Sequence, residues 1–323
     1  MSEPSLQGWT PLSLTGSTDG PAVDWCNFGP VRFTDSFFEQ TAARALRNPA
    51  RQLFRRQTGL EVLEHWDERV PSVRPTGFIY HLSRCGSTLA AQMLAASPRN
   101  IALSEPIPFD QVLSLPLADD EANSRRIACL RGVVHAMAQP RAGETRCFIK
   151  VDSWHTHALP LIHAAFPDVP WIFLYRDPVE VLVSHHRQRG GQMIPGLMNA
   201  RLFGLDPAEV LRMSPDEYCA HVLASISRAV LRHAGLGHSR FINYRQLPGI
   251  LWESLGDFFG AEFAPEEIAL MREASCISAK QPHQSFAPDA AEKQSAATEE
   301  IRRLAATHLA GPYAQMEALR AGA

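Results

Sequence analysis

The stretch His81-Leu-Ser-Arg-Cys-Gly-Ser-Thr88 gathers residue types that grip an anion. It follows an apolar run, Gly77–Leu82, and leads into a helical pattern over Thr88–Ala96. A helix N-terminus presents unpaired N–H groups and a partial positive charge, which together favour an anion. Gly86 allows close backbone approach, the Ser87 and Thr88 hydroxyls can donate to phosphate oxygens, and Arg84 adds a planar fork of donors. A Walker A loop would need Gly at 81 and Lys at 87, where this chain has His and Ser. A cysteine-dependent phosphatase loop would need Arg at 91, which is Ala. A strand-turn-helix that binds nothing stays open at this point.

A second constellation lies in Trp171-Ile-Phe-Leu-Tyr-Arg176-Asp-Pro-Val-Glu-Val-Leu-Val-Ser184. Pro178 suits the first turn of a helix, and Ser184 falls about two turns further on. If that helix packs its start against the neighbouring strand, Arg176 and Ser184 converge on one phosphate. Taken alone, Arg-Asp-Pro after a strand reads equally as a structural salt bridge.

Proton-transfer chemistry points to Glu105, which ends the segment Ile101–Glu105. A carboxylate there, near cations, has a depressed pKa and can serve as a base. The alternative is that Glu105 only holds Arg84 or another cation. Lys150-Val-Asp152-Ser-Trp-His155-Thr-His157 supplies a cation and two fallback bases, His155 and His157. No metal-ligand spacing stands out, so no metal is expected.

These residues need a scaffold. Gly77–Leu82, Ile101–Glu105, Cys147–Val151, Trp171–Tyr175 and Arg240–Tyr244 are short, apolar and aromatic or β-branched, which predicts strands. Helical patterns separate them over Thr88–Ala96, Ser124–Ala138, Leu159–Phe166, Val179–Arg189 and Asp216–Ala234. The alternation predicts an α/β fold of three αβα layers around a parallel sheet of about five strands. Ligands on such sheets sit beyond the carboxyl ends of the strands, where every residue singled out above falls. Residues 1–75 read as a helical lead-in, with a helical pattern over Phe33–Leu63 broken at Pro49 and arginines on its polar side (Arg44, Arg47, Arg51, Arg55, Arg56). Residues 76–323 form the main domain, closing in helices around a polar loop, Lys280–Asp289. Arg189-Gly-Gly-Gln-Met-Ile-Pro-Gly196 reads as a mobile loop able to gate an acceptor.

The 323 residues, 45% apolar and 20% charged, suit an ordinary globular protein. A formal net charge of −3 gives no global pull towards nucleic acid or anionic membrane. The Met1–Leu12 start predicts no signal peptide, and no run approaches the roughly 18–20 apolar residues that span a bilayer. Six scattered cysteines predict neither a disulfide framework nor a zinc site, so a cytoplasmic setting is expected.

Taken together, these motifs resemble the sulfotransferases that use 3′-phosphoadenosine 5′-phosphosulfate (PAPS), a P-loop NTPase-like family. Arg84-Cys85-Gly86-Ser87-Thr88-Leu89 is similar to its 5′-phosphosulfate loop, [RK]-[ST]-G-[ST]-[ST]-[LWF], departing only at Cys85. Arg176 and Ser184 have the spacing of its 3′-phosphate motif, and His163–Trp171 looks like the turn that precedes it. Phe241-Ile-Asn-Tyr-Arg-Gln-Leu is similar to a later segment, which would bring Tyr244 near the adenine; Arg245 and Gln246 replace its acidic pair. Phe286-Ala-Pro-Asp and Lys293 loosely resemble a loop that closes over the nucleotide.

The resemblance implies PAPS as co-substrate, adenosine 3′,5′-bisphosphate (PAP) as product, and a small-molecule or peptide acceptor. It also implies Glu105 as base, as in the tyrosylprotein-type group, where a Glu follows the loop Arg at about this distance. Lys150 would stabilise the bridging oxygen of the leaving group. Cytosolic small-molecule members use a His in a Lys-x-His segment, where this chain has Asp152, so that branch is disfavoured. The competing readings are a P-loop kinase or NTPase and a catalytically silent nucleotide-binding protein.

Overall fold

The computed structural model describes residues 5–17, 20–66, 70–117, 122–277 and 289–322. Continuous apolar runs build its centre. In each of Asn100–Ser104 (β5), Arg146–Lys150 (β6) and Trp171–Tyr175 (β7) all five residues are buried, as a parallel strand covered on both faces requires. They join Pro75–His81 (β4) and Ser239–Asn243 (β8) in a five-stranded sheet of order β5-β6-β4-β7-β8. Every pairing is parallel. Four of the five strands differ from the expected segments by a residue or two at both ends, and Trp171–Tyr175 is as read.

Because β4 lies between β6 and β7, the segments leaving these three strands emerge side by side. The helix after β4, Ser87–Ala96, is apolar nearly all round and is buried accordingly. The helix after β7, Pro178–Arg187, starts on Asp177, whose carboxylate accepts from the amides of Val179 at 3.0 Å and Glu180 at 3.3 Å. Pro178 at its first position gives up an amide that would have had no partner.

The N-terminal segment corrects the expectation of a helical lead-in. Trp9–Ser17 (β1), Gly20–Asn27 (β2) and Arg56–Gly59 (β3) form an antiparallel sheet of order β1-β2-β3. The helices expected between them are present as Phe38–Leu46 and Pro49–Leu53, with Pro49 opening the second behind an Asn48 cap. Val23, Trp25 and Phe28 are fully buried and continuous with the core of the main sheet. The segment docks so closely that a Cβ on Gly132 would lie 2.0 Å from the Leu63 carbonyl oxygen. Four further helices close the described C-terminal part, Pro265–Ser275, Ala290–Ala296, Glu299–His308 and Ala310–Ala321. Of the expected polar loop Lys280–Asp289, residues 280–288 lie outside the described residues and Asp289 lies within them.

Candidate active site

The turn after β4 runs through left-handed backbone. Ser83 has φ 73°, Arg84 φ 51° and Gly86 φ 87°. Left-handed residues are costly for side chains other than glycine and aim successive amides into one concavity, the geometry of an anion nest. Gly86 is required twice over, because a Cβ there would also meet Tyr244 Cδ2 at 2.8 Å and Leu247 Cδ1 at 2.9 Å. Cys85 turns inward: its Sγ–H donates to the Leu174 carbonyl at 3.1 Å, and burial pushes the thiol up to about 11. It therefore offers the loop only its backbone. Leu89 is packed in the core. Ser83, Arg84, Ser87 and Thr88 line a cleft of about 720 Å³. The Arg84 guanidinium donates to the Gln188 carbonyl at 2.6 Å, tying the loop to the end of the Pro178–Arg187 helix.

The same cleft is lined by carboxylates, Glu105, Asp110 and Asp152. Glu105, at φ 50°, donates its amide to the Lys150 carbonyl at 2.7 Å. Lys150 is 1% exposed, and its Nζ donates to Glu105 Oε1 and, at 3.2 Å, to Ser104 Oγ. Burial pushes the Glu105 carboxyl up, but Lys150 and His81 outweigh it and hold the group well below the usual carboxylate range. Beside it, burial and the Glu105 charge push Asp152 well above that range. The two neighbouring carboxyl groups are shifted in opposite directions. Glu105 thus pairs with Lys150 and His81 rather than Arg84.

Neither fallback base opens onto the cleft. His155 Nδ1 accepts from the Asp152 amide at 3.2 Å, and its Nε2 lies 2.8 Å from Asp110 Oδ1, which also takes the Trp154 indole N–H at 2.9 Å. His157 is driven down to about 4, first by burial and then by Arg232. Asp110, Asp152 and His155 bring ligand-type atoms within 4.8 Å of one another. Both ring nitrogens of His155 are already engaged, so a cation there would have to break one of those bonds.

The second grip differs from the sequence-based picture. Arg176 is 4% exposed and stacks with its guanidinium 4.0 Å above the Tyr244 ring. Its Nε donates to Glu180 Oε2 at 2.5 Å and its Nη2 to Asp289 Oδ1 at 2.5 Å. Lys293 Nζ takes the other Asp289 oxygen at 2.6 Å. Ser184 donates to the Glu180 carbonyl at 2.9 Å, a bond within its own helix. The structure therefore brings Arg176, Tyr244, Asp289 and Lys293 together, with Ser184 linked through Glu180. Phe286–Pro288 of the expected late loop lie outside the described residues.

Several lining residues escaped the sequence reading. Ser36, Phe37 and Gln40 reach the cleft from the N-terminal segment, and Phe37 places its ring 5.1 Å from Lys150 Nζ. The glycine loop does border the cleft with Gly190, Gly191 and Gln192. The Gln192 amide donates to Ser153 Oγ at 3.1 Å and to Ser83 Oγ at 3.3 Å. A smaller cavity of about 320 Å³ adjoins the cleft, sharing Phe37, Glu105, Asp110, Asp152 and Trp154 with it.

Residues 75–195 match the model described as the sulfotransferase family. Among curated proteins none matches the chain. Similar solved structures include sulfotransferase STF9 from Mycobacterium avium, 16% identical over 77% of this chain and 79% of that one, with a TM-score of 0.47. The sulfotransferase domain from the curacin biosynthetic pathway is 20% identical over 73% of this chain and 98% of that one, at 0.47. A sulfotransferase from Alicyclobacillus acidocaldarius is 17% identical over 77% and 96%, at 0.41. The α/β segment 75–195, which holds the anion loop, Glu105, Lys150 and Arg176, is a sulfotransferase-family segment.

Proposed function

We propose that this chain is a sulfotransferase that moves the sulfuryl group of PAPS to a hydroxyl or amine acceptor. The observation that carries the reading is that one cleft is lined both by the anion loop, at Ser83, Arg84, Ser87 and Thr88, and by Glu105, which is bonded to Lys150. In the reaction the acceptor oxygen or nitrogen bonds to sulfur while the bond between sulfur and the bridging oxygen breaks. The electron pair leaves on the 5′-phosphate of PAP, and the acceptor's proton passes to Glu105. A carboxylate held below its usual range is a weak base, so the proton transfers late, as the new bond develops. Arg84, Ser87, Thr88 and the loop amides would hold the 5′-phosphosulfate and neutralise the leaving charge. Lys150 contacts Glu105, which favours a role in keeping the base ionised over one at the leaving oxygen.

Arg176, Tyr244 and Lys293 would receive the 3′-phosphate and adenine, displacing Asp289. The acceptor side carries Glu105, Asp110 and Glu39 between Phe37, Ile107 and Trp154, an arrangement that disfavours an anionic acceptor. We take residues 76–323 as the catalytic domain and 1–75 as an addition that completes the cleft through Phe37. Buried free thiols at Cys26, Cys85, Cys129, Cys147 and Cys219 suit a reduced, cytoplasmic setting. Among the described residues no helix is long and apolar enough to cross a membrane.

The occupied state of Arg176 favours one second reading, a nucleotide-binding protein of the same fold without transfer activity. Incubation with sulfur-labelled PAPS and a pool of small alcohols and amines separates the two. Label moving into an acceptor, with PAP released, supports transfer. PAP binding without any transfer supports the silent protein.

A further inference from the structure

His81 ends β4 and is 5% exposed, between the anion loop and the carboxylate centre. The Ser83 amide donates to its Nδ1 at 3.0 Å. A backbone N–H can only donate, so Nδ1 is the acceptor and the ring proton of the neutral imidazole sits on Nε2. That Nε2 lies 3.3 Å from Glu105 Oε1, the same oxygen that takes Lys150 Nζ. Lys150 Nζ donates to that oxygen, and His81 Nε2 stands beside it. Glu105 itself sits in left-handed backbone, a conformation that persists only where neighbours over-determine it.

We propose that His81 is a positioning residue that ties the anion loop to the base: pinned by the Ser83 amide, it turns its Nε2 to Glu105 Oε1 and steadies the carboxylate that lines the cleft. The proposal rests on the reading of Glu105 as base. The charged and titratable groups around Glu105 are His81 from β4, Lys150 and Asp152 from β6 and its continuation, and Arg84 from the loop. Asp110 stands behind Asp152, and Glu39 closes the smaller cavity. Among these, His81 alone touches both the loop backbone and the carboxylate.

Two substitutions divide its contacts. His81→Asn keeps an acceptor near Nδ1 for the Ser83 amide but is too short to reach Glu105. His81→Gln places an amide donor near the position of Nε2. In the ligand-free protein, carboxyl NMR should show Glu105 titrating at higher pH in His81→Asn than in wild type, because a donor to its charged form is gone. With PAPS, His81→Asn should lower kcat by about tenfold, the equivalent of one hydrogen bond to a charged group. PAP affinity should stay within about twofold and the acid limb of the kcat profile should move up with Glu105. His81→Gln should restore most of both.

The proposal is overturned if His81→Asn leaves the Glu105 titration unmoved. It is also overturned if both variants lose kcat and PAP affinity together, as residues that merely support the loop would. A titration shift without any transfer from PAPS in wild type would sink the sulfotransferase reading and leave the His81–Glu105 link standing. Transfer without the shift would do the reverse.

Discussion

The guanidinium of Arg176 lies 4.0 Å above the ring of Tyr244, and the edge of that same ring is what a side chain on Gly86 would strike at 2.8 Å. One aromatic ring thus spans the turn after β4 and the strand end of β7. It spaces the loop from Arg176, the two grips we propose for the 5′ and 3′ phosphates, and leaves no room for a side chain at position 86. Cation–π stacking of this kind contributes about 0.5–2 kcal/mol and fixes the Arg176 plane without using its N–H groups.

Gly86→Ala should therefore damage both fold and binding. A φ of 87° strains any side chain, and the Tyr244 ring would have to move. The expected cost is about 1–3 kcal/mol in urea denaturation, with PAP binding weakened beyond measurement by calorimetry.

Glu105→Gln should reduce transfer by about a hundredfold or more while PAP affinity stays within about twofold. Calorimetry and a labelled-PAPS assay together check this. Loss of PAP binding in parallel would make Glu105 a structural partner of Lys150.

The two carboxyl groups give opposite pH signatures. The Glu105 pKa is depressed, so its contribution is fully present above the unfolded value of about 4.3 and lost as pH falls through the folded one. Asp152 is raised, so the folded state holds a proton that the unfolded state releases, and stability declines as pH rises from about 3.9 through the folded value. Asp152→Asn keeps a donor beside Glu105 and removes that penalty. Its Tm should exceed wild type by roughly 2 °C or more at pH 8, with the gap closing below pH 4.

Asp289 holds Arg176 Nη2 and Lys293 Nζ at once, the two cations that a 3′-phosphate would use. Asp289→Ala should raise PAP affinity by about tenfold, since the ligand no longer displaces a charge-assisted pair. Adenosine 5′-monophosphate, which lacks the 3′ group, should bind with unchanged affinity. Calorimetry on both ligands reads the difference.

The parts legible in the sequence are those set by local pattern. Phe78-Ile-Tyr, Phe148-Ile and Trp171-Ile-Phe-Leu-Tyr announce buried parallel strands because both of their faces are apolar. Arg84, Glu105 and Lys150 were legible because each sits at such a strand's carboxyl end. The β1–β3 sheet was not, since Pro11, Gly16, Gly20 and Pro21 interrupt its alternation. Its strands are held by distant partners, such as Trp25 stacked on Trp66 at 5.9 Å. Phe37 could not be placed at the cleft for the same reason. Arg176 had a legible partner in Glu180, one helical turn on, but Asp289 is 113 residues away and only the fold brings it there.

A thermal-shift comparison shows whether the two proposed grips together read a 3′,5′-bisphosphorylated nucleoside. PAP without magnesium should raise the Tm by several degrees, while ATP at the same concentration does so far less. An equal response to both nucleotides, or a strict need for magnesium, would contradict it.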